Sequence, residues 1–189
     1  MVRCPVCFYP KVADCYECDH CKESPAYKVY SVARYDGSLS YSVLDSFKFH
    51  GHRQMAKVVA MYLGHALDVL DESKSALLVP IPCSGARLRR FGWDQMVEVC
   101  KALDRPYLQL IENADADGMQ QKRMNREQRI SSSSSRFRIK GNIDQGLTER
   151  RIIVLDDIIT TMSTMQSAIE VLTSNGFKDV CGASWLCEL

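Results

Sequence analysis

Aliphatic runs alternate with stretches of helical hydrophobic spacing in the first part of the chain. Residues 26 to 35 alternate apolar and polar side chains, which predicts a half-buried strand, and residues 75 to 82 predict a buried strand stopped by two prolines. Between them, residues 54 to 70 predict a helix whose apolar face is formed by Met55, Val58, Val59 and Tyr62. Further along, residues 93 to 103 predict a helix and residues 107 to 111 a weaker strand.

The same alternation continues to the C-terminus. Residues 151 to 155 form a continuous aliphatic run, which is typical of a central strand in a parallel sheet. The helix predicted after it ends at Asn175 and Gly176. Its buried face has spacings of three and four and consists of Met165, Ala168, Ile169 and Leu172. Strands alternating with helices predict an α/β fold with a central parallel sheet flanked by helices.

Composition and charge favour a globular protein that binds anions only locally. The chain has 189 residues, 46% of them hydrophobic, and no window reaches the roughly 18 apolar residues of a membrane span. The N-terminus lacks the basic-then-apolar order of a secretion signal, so we expect a cytoplasmic location and no membrane partner. With a net charge of +1, anion binding is expected at the basic stretches 87 to 90 and 122 to 138.

The nine cysteines form two groups. Four are scattered among apolar residues and are interpreted as reduced core side chains: Cys83, Cys100, Cys181 and Cys187. The other five lie in the motifs CPVC and CYECDHC, whose spacing is that of a tetrahedral zinc site. The preferred ligands are Cys4, Cys7, Cys18 and Cys21, with Cys15 as the alternative. So short a segment needs the metal to fold, which predicts a structural zinc ribbon over residues 1 to 24. Free thiols in a disordered tail are the competing interpretation.

Two acids and four hydroxyl residues follow the aliphatic run at residues 151 to 155. The acids are Asp156 and Asp157, and the hydroxyl residues are Thr160, Thr161, Ser163 and Thr164. Open α/β sheets bind ligands at the carboxyl ends of their strands, and a loop that opens a helix offers free N–H groups to an anion. We therefore predict a phosphate site over residues 158 to 164, with the carboxylates accepting hydrogen bonds from neutral groups such as ribose hydroxyls.

Three other interpretations of the acid pair compete with this one. A Walker B pair would need a GxxxxGK[ST] motif, which the chain lacks. An aspartyl-phosphate site would need an acidic partner at another spacing. A surface turn in which Asp caps the next helix accounts for one acid better than for two acids followed by four hydroxyls.

The stretch VLDDIITTMST, residues 154 to 164, resembles the ribose 5-phosphate signature of type I phosphoribosyltransferases. Three further segments resemble, in the same order, segments of the ComF family of competence-associated, phosphoribosyltransferase-like proteins, which often carry an N-terminal zinc ribbon. They are LDSFKFHGHRQMA, VPIPCSGARLRRFGWDQ and QQKRMNREQRISSSSSRFRI. The resemblance covers nearly the whole chain. It implies a type I phosphoribosyltransferase-like fold over residues 25 to 189 and a site for phosphoribosyl pyrophosphate (PRPP) with Mg²⁺.

The resemblance also implies roles for individual residues. Asp156 and Asp157 would hold the ribose hydroxyls. The turn at residues 160 to 164 would bind the 5-phosphate through its N–H groups and hydroxyls. Arg87 would contact the pyrophosphate, and Lys48 is a further candidate for an anion contact.

A mobile lid over residues 116 to 136 is implied as well, with a solvated linker as the competing interpretation. Its polar residues would close over the leaving group: Gln121, Lys122, Arg126 and Arg129. The chain departs from the family pattern at Met162, where the signature has glycine. If that position needs a positive φ, methionine costs about 1 kcal/mol or more. Phe91 also stands where a basic residue is common.

Two functions are compatible with this sequence. The first is a Mg²⁺-dependent phosphoribosyltransferase that moves ribose 5-phosphate from PRPP to an unidentified nitrogenous acceptor. The second is a non-catalytic adaptor in DNA uptake that contacts DNA or a partner protein through the zinc ribbon. PRPP binding is better supported by the residues than turnover.

Overall fold

The computed structural model describes residues 29–35, 39–114 and 136–188. The proposed zinc ligands Cys4, Cys7, Cys18 and Cys21 lie outside these ranges, as do the lid residues Lys122 and Arg126. The predictions made for them stay predictions.

A parallel four-stranded sheet forms the centre of the described chain. The strands are β1 (Val29–Arg34), β2 (Leu77–Pro80), β3 (Ile111–Asn113), β4 (Phe137–Ile139), β5 (Arg151–Ile159) and β6 (Asp179–Cys187). The parallel sheet has the order β1-β6-β5-β2, and β3 with β4 forms a separate antiparallel pair. Leu155 of β5 pairs with Pro80 on one side and with Ala183 on the other. The aliphatic run is therefore an interior strand, as its composition predicts.

Five α-helices and one short 3-10 helix surround the sheet in the described ranges. They are α1 (Leu39–Lys48), α2 (Met55–Leu70), α3 (Gly85–Phe91), α4 (Gln95–Leu103), α5 (Ser163–Ser174) and the 3-10 helix Gln145–Leu147. Asp94 begins α4, because its Oδ1 accepts hydrogen bonds from the N–H groups of Met96 and Val97 at 3.0 and 3.2 Å. Gly176, with a φ of 94°, follows the end of α5 as predicted. None of the helices described is long and apolar enough to cross a bilayer.

Both faces of the sheet are covered, and the alternation of side chains along β5 divides the core in two. Ile153 and Leu155 pack with residues of α1, α2 and α4 on one face. Ile152 and Val154 pack with α5 and β4 on the other. The predicted buried face of α5 is correct, since Met165, Ala168, Ile169 and Leu172 are all fully buried. Because helices cover both faces of this parallel sheet, the ends of its strands are the part left open to a ligand.

The predicted apolar face of α2 is correct only in part, since Val59 is buried in the core and Met55 packs against it half-buried. The residues of α2 that are buried in the core are Ala56, Val59, Ala60, Leu63 and Leu67. Only Val59 belongs to both sets, and Tyr62 is 39% exposed, with its ring stacked on Trp185 at a centroid distance of 6.0 Å. The buried face of α2 is therefore shifted by one position from the predicted one, and it includes two alanines that the spacing of large apolar residues did not indicate.

The strand predicted over residues 107 to 111 is also only partly correct. Tyr107 forms a single parallel bridge with Leu78, and the regular strand begins at Ile111 and pairs with β4. Leu108 is 40% exposed, so this part of the segment lies at the outer edge of β2 and has no sheet neighbour to bury it. A weaker strand was predicted for this segment, and its place at the edge of the sheet limits the pairing.

Packing of α5 against β6 is tested by a pair of glycine substitutions. A Cβ at Gly182 would come within 2.6 Å of Met165 Sδ and 3.2 Å of Val29 Cγ2. We expect Gly182→Ala to lower the free energy of unfolding in urea by about 1–3 kcal/mol. In α2, the nearest atom to a Cβ at Gly64 would be Leu103 Cδ2 at 3.7 Å, so Gly64→Ala should be neutral or stabilise by up to about 1 kcal/mol. Equal effects at the two sites would contradict this packing.

Candidate functional site

A cleft of about 200 Å³ opens at the carboxyl ends of β2 and β5. These strands are neighbours in the sheet, so the segments that follow them reach the same cleft. Six of the residues predicted for the site line it: Lys48, Arg87, Asp156, Asp157, Thr160 and Thr164. This edge is the place where parallel α/β sheets bind their ligands.

Two larger grooves, of about 600 and 710 Å³, lie along α2 and α4. Charged residues that line them pair with one another, as Arg105 does with Asp68 and Arg53 with Glu98. Neither groove contains the acid pair or the hydroxyl-rich turn. The smaller cleft at the strand ends is therefore the one that contains the acid pair and the hydroxyl-rich turn.

The two acids lie within β5, which continues to Ile159, so the loop predicted over residues 158 to 164 is shorter than expected. Asp156 still pairs in register with Ser184 of β6. Its Oδ1 accepts a hydrogen bond from the N–H of Asp157 at 2.8 Å, and Asp157 Oδ1 accepts one from the N–H of Ile158 at 2.8 Å. Both carboxyl groups are thus fixed at the sheet edge by the backbone beside them.

Lys48, the last residue of α1, forms an ion pair with Asp157. Its Nζ lies 2.8 Å from Asp157 Oδ1, and the two side chains are 17% and 6% exposed. The sequence assigned Lys48 to an anionic ligand, whereas its partner here is one of the acids. A single lysine therefore offsets one of two adjacent carboxylates in a poorly solvated position.

The carboxyl group of Asp156 keeps its proton to a higher pH than usual in this environment. Burial, followed by the charge of Asp157, raises the pKa of Asp156 to about 8, against the opposing effect of Lys48. At neutral pH the acid pair therefore carries less than two full negative charges. A ligand that brings hydroxyl donors or a cation to Asp156 would favour its ionised form.

A buried glutamine holds the wall of the cleft on the β2 side. Gln95, only 2% exposed, accepts a hydrogen bond from Arg87 Nη1 at 3.0 Å. Its Nε2 donates to the carbonyls of Phe47 at 2.7 Å and Lys48 at 3.2 Å. One side chain thus positions Arg87 and fixes the end of α1 that carries Lys48. The role of Gln95 could not be predicted from the sequence, because a glutamine in the first turn of an amphipathic helix resembles a surface residue.

Cys83, in the segment after β2, is braced from two sides. Its N–H donates to Asp94 Oδ2 at 2.8 Å, and its carbonyl accepts from Asn113 Nδ2 at 2.8 Å. Burial, and then Asp94, raises the pKa of the Cys83 thiol to about 12, so the thiol stays protonated and is a poor nucleophile. Of the four cysteines predicted to be core residues, Cys83 is half-buried in the cleft, and Cys100, Cys181 and Cys187 are buried.

The turn between β5 and α5 contains the predicted phosphate-binding residues. Thr160 and Thr164 line the cleft, whereas Thr161 Oγ1 and Ser163 Oγ lie 2.9 Å apart and are exposed. Met162 has a φ of −68°, and its side chain packs on the core beneath α5. Methionine therefore causes no positive-φ strain here, and it is not among the residues that line the cleft.

Arg136 is a second residue that sequence analysis did not single out. It lines the cleft, and its Nη1 donates a hydrogen bond to Thr164 Oγ1 at 2.8 Å. The sequence signal was a basic residue directly before a strand, inside a segment rich in arginine. Three basic side chains (Lys48, Arg87 and Arg136) and two acidic ones (Asp156 and Asp157) therefore line the cleft, which favours an anionic ligand.

No protein-family model matches the chain. It is 28% identical over 186 residues to Competence protein ComFC of Streptococcus pneumoniae, covering 94% of this chain and 77% of the relative. It is 26% identical to Competence protein ComFC of Bacillus subtilis, over 92% of this chain and 72% of the relative. It is also 26% identical to DNA utilization protein YhgH of Escherichia coli, over 92% of this chain and 78% of the relative.

The chain is thus similar, over more than nine tenths of its length, to proteins named for competence and for DNA utilization. The resemblance to the ComF family, recognised from the sequence motifs, is confirmed by these relatives. All four motifs that carried the resemblance contribute to the cleft, since they supply Lys48, Arg87, Arg136 and the acid pair.

The donor set at the strand ends would suit a magnesium ion only if a bound ligand supplied further oxygen atoms. Within residues 29–35, 39–114 and 136–188, no group of three or more Cys, His, Asp and Glu side chains could by itself hold a metal ion. Mg²⁺ is usually bound by one or two carboxylates together with substrate phosphates, so Asp156 and Asp157 could hold it only with a phosphorylated ligand.

The raised pKa of Asp156 predicts how stability depends on pH. The folded state favours the protonated acid, so its stabilising contribution is lost as the pH rises through about 8. Asp156→Asn removes this ionisation. Its Tm should therefore fall less than that of the wild type between pH ~6 and pH ~9, by a few degrees, because 1 kcal/mol shifts Tm by about 2–4 °C in a domain of this size.

Asp179→Asn serves as the control for this comparison. Asp179 is 61% exposed at the amino end of β6, so the substitution should leave the pH dependence unchanged. Parallel Tm profiles for the wild type and Asp156→Asn would contradict the strained acid pair.

Proposed function

We propose that the cleft binds PRPP together with Mg²⁺ and that the described chain has a type I phosphoribosyltransferase-like fold. The observation that carries the proposal is the position of the two acids, directly before a hydroxyl-rich turn that opens α5, in a cleft that also contains basic side chains. Acids can accept hydrogen bonds from neutral sugar hydroxyls, and free N–H groups at the start of a helix suit a phosphate. A ribose with anionic groups at both ends matches this arrangement.

Each wall of the cleft has a role in this proposal. Asp156 and Asp157 accept hydrogen bonds from the ribose hydroxyls. In the complex, Asp157 binds the ligand in place of Lys48. The turn at residues 160 to 164 binds the 5-phosphate. Arg87, held by Gln95, contacts the pyrophosphate. Lys122 and Arg126, in the predicted lid, would close over the leaving group.

In the transfer reaction, the bond between the anomeric carbon and the pyrophosphate oxygen breaks, and the electron pair leaves with pyrophosphate. A nitrogen of the acceptor donates its electron pair to the anomeric carbon to form the new bond, and its proton passes to solvent water. Mg²⁺, when bound with PRPP, neutralises part of the pyrophosphate charge. Arg87 stabilises the departing anion, and the acids hold the ribose as positive charge develops at its anomeric carbon.

A second candidate function is supported by the names of the relatives, which refer to competence and DNA utilization. In this alternative the chain is an adaptor in DNA uptake that keeps the PRPP cleft without turnover. The structural zinc ribbon, with Cys4, Cys7, Cys18 and Cys21 as ligands and Cys15 as the alternative fourth ligand, would contact DNA or a partner protein.

Titration calorimetry with PRPP and Mg²⁺ tests the binding proposal. We expect the wild type to bind and Asp156→Asn/Asp157→Asn to weaken binding by at least about 100-fold, because hydrogen bonds to charged groups contribute about 1.5–3 kcal/mol each. Glu149→Gln/Asp179→Asn is the matched control. It removes the same two charges from side chains near the amino end of the sheet that are 63% and 61% exposed, and it should bind like the wild type.

A wild-type protein that does not bind PRPP in the presence of Mg²⁺ would end this proposal. If it binds, pyrophosphate release should be measured across a panel of bases and amines. Release with one acceptor would support the transferase, whereas binding without release would support the adaptor.

The zinc ribbon is tested by metal analysis of the full chain. We expect about one zinc per chain, lost in Cys18→Ser, because a structural Cys4 site needs all four thiolates. Comparing Cys15→Ser with Cys21→Ser identifies the remaining ligand, since only the true ligand should cause loss of zinc. Protein purified without zinc would overturn the ribbon. Loss of DNA binding in Cys18→Ser, with PRPP binding retained, would favour the adaptor.

A further inference from the structure

We propose that Arg136 is the cation that recognises the 5-phosphate, and that it makes the cleft selective for phosphorylated sugars. This inference depends on the proposed function, because it assigns one end of the same ligand. The turn at residues 160 to 164 has hydroxyl groups and free N–H groups but no basic side chain. A phosphate bound there would lack a counterion unless a neighbouring element supplied one.

Arg136 is anchored where it can supply this charge. Its carbonyl accepts a hydrogen bond from the N–H of Ala114 at 3.0 Å, which extends the β3–β4 pairing by one residue. The next residue, Phe137, is 1% exposed in the core beneath α5. The guanidinium carbon lies 5.7 Å from the centre of the Phe137 ring, within the range of a cation–π contact. The backbone and side chain of Arg136 are therefore both held against α5.

The guanidinium already lies at the predicted phosphate position. Nη1 donates to Thr164 Oγ1 at 2.8 Å, and Thr164 is in the first turn of α5, where backbone N–H groups lack helical acceptors. An arginine has five N–H donors in a planar fork that matches phosphate oxygens in pairs. The hydrogen bond to Thr164 uses one of these donors, so the others remain available to donate to a phosphate group.

Arg87 and Arg136 are held by different elements, which separates their roles. Gln95 holds Arg87 and belongs to α4, which covers one face of the sheet. Thr164 contacts Arg136 and belongs to α5, which covers the other face. A pyrophosphate group would depend on Arg87. A phosphate on the far end of the sugar would depend on Arg136.

The test compares ligands that carry one group or the other. Titration calorimetry with ribose 5-phosphate, Mg²⁺-PRPP and Mg²⁺-pyrophosphate is measured for the wild type and Arg136→Met. We expect affinity for the two sugar phosphates to fall about 10- to 100-fold and affinity for pyrophosphate to change less than about threefold. Arg136→Lys should restore part of the loss, because it keeps the charge but not the paired donors.

Arg150→Met is the matched control, because it removes the same charge at the amino end of β5, where Arg150 donates to the Ser75 carbonyl at 2.7 Å. It should bind all three ligands like the wild type. If the wild type binds PRPP and Arg136→Met binds ribose 5-phosphate equally well, the inference is wrong and the proposed function stands. Equal losses for all three ligands would mean that Arg136 only braces Thr164, which also overturns the inference. A wild type that binds none of them overturns both.

Discussion

Two neighbouring carboxyl groups at the end of an interior strand are the constraint on which this site depends. β5 is hydrogen-bonded to β6 through Asp156 and beyond, so the acids cannot separate without disrupting the sheet. Lys48 offsets Asp157, and the pKa of Asp156 rises in response to burial and to its neighbour. The site is therefore less stable than an apolar strand end would be. Such a cost is typical of binding sites, and a ligand that supplies hydroxyl donors and a cation would relieve it.

The remaining structure holds charged side chains around this pair at fixed positions. Gln95 links Arg87 to the end of α1, while the β3–β4 pair and the buried ring of Phe137 hold Arg136 against α5. These supports are buried or belong to regular elements, so the basic groups lose little conformational freedom when an anion binds. The hydroxyl-rich turn needs no glycine at position 162, because Met162 has ordinary helical φ and ψ.

Local patterns predicted the parts of the molecule that depend on local sequence. The aliphatic run of β5, the periodic face of α5 and the acid pair at a strand end could all be recognised in the sequence. The partners could not, because they come from distant segments: Lys48 reaches Asp157 across 109 positions, and Arg136 reaches Thr164 across 28. Gln95 resembled a surface residue, and the buried alanines of α2 did not stand out in the pattern of large apolar residues. In each of these cases the role of the residue depends on tertiary packing, which hydrophobic periodicity alone does not reveal.

The central claim is that the acids hold a sugar while the start of α5 holds its phosphate. A crystal structure of the protein with ribose 5-phosphate bound tests this most directly. The account predicts ribose hydroxyls within hydrogen-bond distance of Asp156 and Asp157 and the phosphate against Thr164 and Arg136. A sugar phosphate bound in the reverse orientation, or bound only outside the cleft, would contradict it.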